Sequence, residues 1–258
     1  MSLYGTYPLV LEENTSISIS ARATYRSLQD FTIAGQTSDR EVIVGQIALN
    51  GSHEDDLGLR GITNFSLSFL TGHSDQNLET ARLQDAVTRD AFGSFSKLNY
   101  AVRRLQLLPG KWYLDLSSRG QFAFDNLDSS ERFSLGGAEH IRAYPMGEAG
   151  GDSGHIVSAN LFYRINRLVR ASVFVDAGYT ENNYETWADW NAFNPNQENS
   201  YTLAGAGASL AIGSINGYIL TASIATPLGN NPGRDLNGND SDGRDPSFRG
   251  WLSITSEF

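Results

Sequence analysis

A chain of 258 residues is enough for one large β domain or two small ones. Apolar residues make up 40 %, with no run approaching the ~20 that a membrane-spanning helix needs. The net charge of -10 comes without a basic stretch, which argues against nucleic-acid binding, and the lack of cysteine excludes disulfides and thiolate metal sites.

Alternation with a period of two runs along the chain. Tyr4 to Leu11 reads as the first strand. Ile17, Ile19, Ala21, Ala23 and Tyr25 then oppose Ser18, Ser20, Arg22 and Thr24. Phe65, Leu67 and Phe69 oppose Asn64, Ser66 and Ser68, and Trp112, Leu114 and Leu116 oppose Tyr113, Asp115 and Ser117. Val157, Ala159, Leu161, Tyr163 and Ile165 oppose Ser158, Asn160, Phe162 and Arg164, and Val173, Val175, Ala177 and Tyr179 oppose Phe174, Asp176 and Gly178. Leu252 and Ile254 lead to a terminal aromatic, Phe258. The count is about eleven strands.

The links between these strands fall into two classes. Short turns are expected near Glu12–Thr15, Asn50–Asp56, Pro109–Gly110, Asn166–Arg167 and Gly213–Gly217. Long polar links are expected over Gln29–Ser38, Gly72–Ser94, Asp125–Asp152, Thr180–Ser200 and Gly229–Asp245. Ser74 to Asp90 carries Leu78, Leu83 and Val87 among charges and suggests a short surface helix. Thr180–Ser200 holds Glu181, Glu185, Asp189 and Glu198 and no lysine or arginine, so that outer surface should be acidic. Long loops at one end and tight turns at the other are the mark of an antiparallel transmembrane β-barrel, not of a soluble sandwich. The mean hydropathy of -0.31 agrees, because every second residue of such a wall faces a wet lumen. Bacterial barrels have even strand numbers, and an open edge in lipid leaves backbone groups unpaired. The chain therefore reads as the C-terminal part of a longer barrel, with strands missing upstream. Met1-Ser2-Leu3 has neither the charged nor the apolar region of a signal peptide.

Two charges stand apart from this pattern. Arg142 sits in the glycine-rich run after Leu135-Gly136-Gly137, and Asp176 interrupts the apolar strand Phe174-Val175-Asp176-Ala177-Gly178. Each is awkward alone, which suggests a loop tucked inside the barrel and pinned there. At these residues the chain resembles the outer-membrane transporters of two-partner secretion, the haemolysin-activation and filamentous-haemagglutinin transporter family. The likeness extends over Tyr7-Pro8-Leu9, Leu67–Gly72, Arg104–Gly110, Glu131–Gly137, Arg142-Ala143-Tyr144, Gly147-Glu148-Ala149 and Phe174–Gly178.

The resemblance implies a barrel of sixteen strands, the last eleven of them present here, preceded by a helical plug and two periplasmic POTRA domains. It implies that the loop from about Glu139 to Asp152 folds into the lumen, where Arg142 meets Asp176. Tyr144, Gly136, Gly137, Phe174 and Gly178 accompany this clamp. The function implied is export of one large secreted partner, an adhesin or cytolysin, across the outer membrane of a Gram-negative cell. No cofactor or metal is implied. The other partners are outer-membrane lipids and the barrel-assembly machinery. One residue departs from the family pattern: Ala143 stands where glycine is usual, and alanine tolerates positive φ poorly.

Other motifs are weaker. His53, His73, His140 and His155 read as turn or loop residues without ligand spacing. Asp235 to Asp242 lacks the glycine and glutamate of a calcium loop and reads as a solvated segment. Gly205-Ala206-Gly207 has no third glycine (Leu210 holds that place) and no following helix, against dinucleotide binding. The rival functions are a passive porin, a barrel-assembly insertase, and a rim enzyme using His140 or His155 with Ser153 and Asp152.

Overall fold

The computed structural model describes residues 1–33, 35–192, 194–213 and 217–256. Eleven long strands form one antiparallel sheet in strict sequential order. They are β1 (Ser2–Leu11), β2 (Thr15–Thr32), β3 (Gly35–Asp55), β4 (Gly61–Gln76), β5 (Gly93–Leu107), β6 (Trp112–Ala123), β9 (Ser153–Arg164), β10 (Val169–Glu181), β11 (Ser200–Gly213), β12 (Tyr218–Pro227) and β13 (Arg249–Ser256). A two-residue pair, β7 (Phe133–Ser134) with β8 (Gly150–Gly151), lies inside the link from β6 to β9, and a helix α1 (Glu79–Ala86) lies between β4 and β5. Among the described residues β1 and β13 do not pair with each other, so the wall has two free edges.

The wall is turned as the alternation requires. Val173 and Val175 are 57 % and 46 % exposed on the outer face, whereas Phe174 and Asp176, which alternate with them, are buried on the inner one. The same parity holds on neighbouring strands, where Leu67, Phe69, Leu116, Val157, Leu210 and Ile224 all face outward. Such a face is stable only against hydrocarbon; in water, exposed apolar surface of this extent is an aggregation hazard. Aromatic side chains mark both margins. Trp112 and Tyr163 pack with centroids 4.7 Å apart near the short turns, and His155 sits among Tyr100, Phe122 and Tyr179 toward the other end.

The links differ from expectation in one consistent way. The expected loop Gln29–Ser38 is mostly strand, because β2 runs to Thr32 and β3 resumes at Gly35. The expected turn Asn50–Asp56 is also strand as far as Asp55, and the connection falls at 56–60. Hydrophobic alternation ends where the hydrocarbon ends, but backbone pairing does not. β3 has 21 residues, and about 9–11 suffice to cross a bilayer, so its polar remainder pairs with β2 beyond the membrane. The turns at 12–14, 108–111 and 165–168 and the long links at 124–152, 182–199 and 228–248 stand as expected. The helix is shorter than the expected Ser74–Asp90, because β4 continues to Gln76. Most of the expected Gly213–Gly217 turn and the terminal aromatic Phe258 lie outside the described residues.

Cysteine scanning along β10 in lipid tests the facing. Nitroxide labels at V173C and V175C should be relaxed by lipid-soluble oxygen, while labels at the inner positions R170C and S172C respond to a water-soluble paramagnet. An inverted pattern would refute the assignment of lumen and lipid faces.

Candidate functional site

The link of 124–152 folds back along the inner face of the wall instead of leaving it. Its first turn, Ser129–Glu131, is capped by Asp128, whose carboxylate accepts from the Ser130 amide at 3.0 Å. The β7–β8 pair closes the neck, and a bridge between Gly136 and Ile141 narrows the tip. Glycine is needed at two points here. A Cβ on Gly136 would lie 2.1 Å from the Pro145 carbonyl oxygen, and Gly137 adopts φ 134°, which L side chains rarely accept. Both glycines thus belong to the loop. Ala143 is not among the positive-φ residues, so the alanine substitution costs no backbone strain.

At the tip, Arg142 meets Asp176. The guanidinium donates in a bidentate manner, Nη2 to Oδ1 at 2.7 Å and Nε to Oδ2 at 2.8 Å, and the Arg142 amide adds a third bond to Oδ2 at 3.2 Å. Ser158 donates its hydroxyl to the same carboxylate, and Nη2 also reaches Asn160 Oδ1 at 2.8 Å. The guanidinium carbon lies 3.2 Å from the ring centroid of Phe174, a close cation–π contact. The carbonyl of Arg142 accepts from Trp251 Nε1 at 2.8 Å, which ties the tip to the last strand. Asp176 is wholly buried, and a buried carboxylate is tolerable only when its oxygens are satisfied in this way.

Apolar packing holds the rest of the tip. Leu135, Ile141, Ala143, Tyr144 and Ala149 of the loop form one core with Ile156, Phe174, Leu203 and Ala225 of the wall. One inner position of β11 is glycine because of this contact: a Cβ on Gly205 would come within 2.5 Å of the Ala143 methyl. A Cβ on Gly207 would meet the Ile224 carbonyl oxygen and the Phe174 ring, both of the wall. Gly178 likewise leaves room for Ile141 and Leu135. Burial pushes the Tyr144 phenol up to about 12, and burial beside Arg119 lowers the His140 imidazole.

Four further carboxylates of this one link are buried, and each engages a different part of the extracellular end. Asp128 holds Arg40 of β3 at 2.7 Å, and Glu131 pairs with Arg26 of β2 and, at 2.9 Å, with Lys97 of β5. Asp152 takes Arg89 at 3.0 Å and Arg132 at 3.3 Å, and accepts from the Tyr184 amide at 3.0 Å. Glu148 accepts from Asn231 Nδ2 and the Ser241 amide, each at 2.7 Å, both in the last outer loop.

The structure thus brings Arg142, Asp176, Phe174 and Gly178 together with Tyr144, Gly136 and Gly137 around one docked tip. Sequence reasoning missed Ser158, Asn160, Trp251, Gly205, Gly207, Glu131 and Glu148. In the ladder Ser158 and Gly205 stand opposite Asp176, and Asn160 and Gly207 opposite Phe174, so register alone would have found four of them. The residues of the rim-enzyme reading are engaged elsewhere. His140 stacks on Phe133, His155 points outward among aromatics, Asp152 is held by two arginines, and the Ser153 hydroxyl accepts from the Ala123 amide at 3.1 Å. His53, His73 and His155 lie in strands, not in turns or loops, because their polar stretches continue the ladder. Asp240 is not solvated either; it is buried against Arg249 at 3.0 Å and Arg234 at 3.3 Å.

Comparison with known proteins adds a second line of findings. A family model described as haemolysin secretion/activation protein ShlB/FhaC/HecB matches residues 12–212. The heme/hemopexin transporter protein HuxB of Haemophilus influenzae is 25 % identical over 263 residues, and its counterpart in strain KW20 Rd is 26 % identical over 267. Each alignment takes in all of this chain and 44 % of the relative, so the chain spans less than half the length of those proteins. Among solved structures, CdiB from Escherichia coli superimposes with a TM-score of 0.74 at 18 % identity, covering 98 % of this chain and 44 % of that one. CdiB from Acinetobacter baumannii does so with a TM-score of 0.50 at 17 % identity, covering 98 % of this chain and 49 % of that one. At such identities these two likenesses speak for the fold alone.

Removing one partner of a buried pair typically costs roughly 3–5 kcal/mol because the other charge is left uncompensated. D176A should therefore release the tip: limited proteolysis is expected to cut within 137–149 at least tenfold faster, while the heat-modifiable gel shift of the folded barrel is unchanged. Equal protection of parent and variant would show that the pair does not hold the loop.

Proposed function

The chain belongs to the haemolysin secretion/activation protein family, and on that premise we propose that it forms the wall and inner loop of a translocator that exports a secreted partner protein in two-partner secretion. Its setting is the outer membrane of a Gram-negative bacterium, which the outward apolar face and the aromatic margins support. The partner is a large secreted protein crossing the lumen as an unfolded chain. The relatives matched over the whole chain are named heme/hemopexin transporter proteins. The two free edges of the sheet are to be completed by strands outside this sequence, in a barrel of sixteen, because unpaired strand edges in hydrocarbon cost several kcal/mol per group. Outer-membrane lipids and the barrel-assembly machinery are the further partners proposed.

One observation carries the reading: the tip of an outer link is held against the inner wall by Arg142 and Asp176. A passive porin leaves this buried ion pair on an inward-folded loop unexplained. A translocator needs it, since the passage must be narrow at rest and must yield to a polypeptide. Bidentate, charge-assisted bonds give the tip one defined seat, while the apolar core beneath it can part from the wall as a unit. Phe174 supports the seat by lying against the Arg142 guanidinium, Tyr144 by packing in the core beside it, and Gly178, Gly136 and Gly137 by leaving space.

Export measured in cells that make the protein together with its secreted partner tests this reading. Excision of residues 137–152 should lower release of the partner to the medium at least tenfold at equal barrel abundance, and should raise small-solute permeability and unit conductance severalfold. Undiminished export with unchanged conductance would contradict the proposal, and raised conductance without any partner-dependent export would favour the porin.

A further inference from the structure

At the short-turn end of the wall the inner face carries a charge pattern that the clamp does not use. Arg164 of β9 and Arg170 of β10 stand directly opposite each other in the ladder. They share the inward parity of Asn160 and Asp176, the residues that touch Arg142. Arg167 sits in the turn between those strands, and Lys111 in the turn before β6, its ammonium donating to the Ile165 carbonyl at 3.2 Å. Among the described residues none of these four cations has a carboxylate within 4 Å, whereas Arg26, Lys97 and Arg103 of the inner wall each hold one, Arg119 donates to the Glu139 carbonyl and Arg22 lies over the Tyr4 ring. Like charges directly opposite in a sheet are destabilising. In a chain of net charge -10, an uncompensated cationic rim is a feature that requires a counterpart.

The surroundings define that counterpart. Tyr113 and Phe162 stack beside the arginines, with centroids 4.6 Å apart and planes 3° from parallel. Arg164, Arg167, Arg170 and Tyr113 line one cavity of about 280 Å³, floored by Ala211 and Ile219. Three guanidinium forks and a flat aromatic pair, spread along neighbouring strands, suit alternating carboxylate and apolar or aromatic side chains on an extended backbone. The inward parity turns the group away from lipid headgroups and toward whatever enters the lumen.

We propose that this rim, Arg164, Arg167 and Arg170 with the Tyr113–Phe162 stack, receives an acidic, aromatic-bearing stretch of polypeptide at the periplasmic mouth of the barrel. The proposal rests on the reading that a polypeptide passes through this lumen. The cationic mouth draws the acidic segment in by its long-range field, which raises the rate of arrival and is screened as salt rises. Once seated, carboxylates pair with the guanidiniums and remove the Arg164–Arg170 repulsion.

Planar bilayers holding the protein as the cell makes it give the test. A fifteen-residue peptide of Glu, Asp and Tyr is added on the short-turn side and blockades of the current are counted. At about 0.1 M salt, where the Debye length is ~10 Å, this peptide should block at least tenfold more often than a Lys and Tyr peptide of equal length, and at about 1 M salt the difference should vanish. R164Q/R170Q should cut the acidic-peptide rate at least fivefold, and R167Q, in an exposed turn that tolerates change, at least twofold. Equal rates for the two peptides, or variants that match the parent, overturn the proposal. So does a dependence on the arginines seen only in bilayers of anionic phospholipid, which would assign them to headgroups. Arginine-dependent blockade in a protein that exports no partner supports this surface and sinks the transport reading instead.

Discussion

A carboxylate shut off from water, Asp176, has its charge answered by a guanidinium carried on a loop more than thirty residues away in sequence, and the arrangement of the lumen follows from that pair. Asp176 lies in the middle of β10, at a position whose neighbours along the strand face hydrocarbon. Without Arg142 it would be a desolvated anion on the inner wall, and without Asp176 the arginine would have no defined seat. Burying such a pair adds little net stability, because desolvation offsets most of the attraction. What it supplies is position. Bidentate geometry, the Ser158 hydroxyl and the Asn160 amide leave one orientation for the tip, and the Trp251 indole fixes its backbone from the far side.

The apolar core beneath the tip answers a second constraint. The lumen of a barrel is ordinarily polar, yet Ile156, Phe174, Leu203 and Ala225 point into this one. They are inward apolar residues that only another part of the chain can cover, and the loop covers them with Leu135, Ile141, Ala143 and Tyr144. Gly205 and Gly207 complete the fit by yielding the volume that Ala143 and Phe174 occupy. The buried acids Asp128, Glu131, Glu148 and Asp152 then connect the same link to the other outer loops. One segment therefore joins the clamp at mid-wall to the outer links.

Much of this was readable from residue types. Parity gave the facing of each strand, because a period of two is a local property that any run of eight residues reveals. The sorted link lengths gave the two ends of the wall, and the isolated charges of Arg142 and Asp176 gave the pair that meets on its inner face. What could not be read was register. An 18-residue link between β10 and β11 leaves the pairing of Asp176 with Gly205 undetermined, so the glycines of β11 read only as a failed dinucleotide motif. The extent of β3 was also hidden, since its two ends, 35–41 and 50–55, are polar on both faces and carry no alternation to follow. Glu131 and Glu148 looked like ordinary loop acids; only tertiary contact shows that they are buried and paired.

The central claim, that one buried pair seats the loop, is tested most directly by a double-mutant cycle on R142A, D176N and their combination, read as the rate of proteolytic opening of the tip. If the two side chains act on each other, the combined variant opens no faster than the worse single one, and the coupling energy is a large part of either loss. Losses that add in full would mean the two residues hold the loop independently, and the account built on their pairing would be wrong.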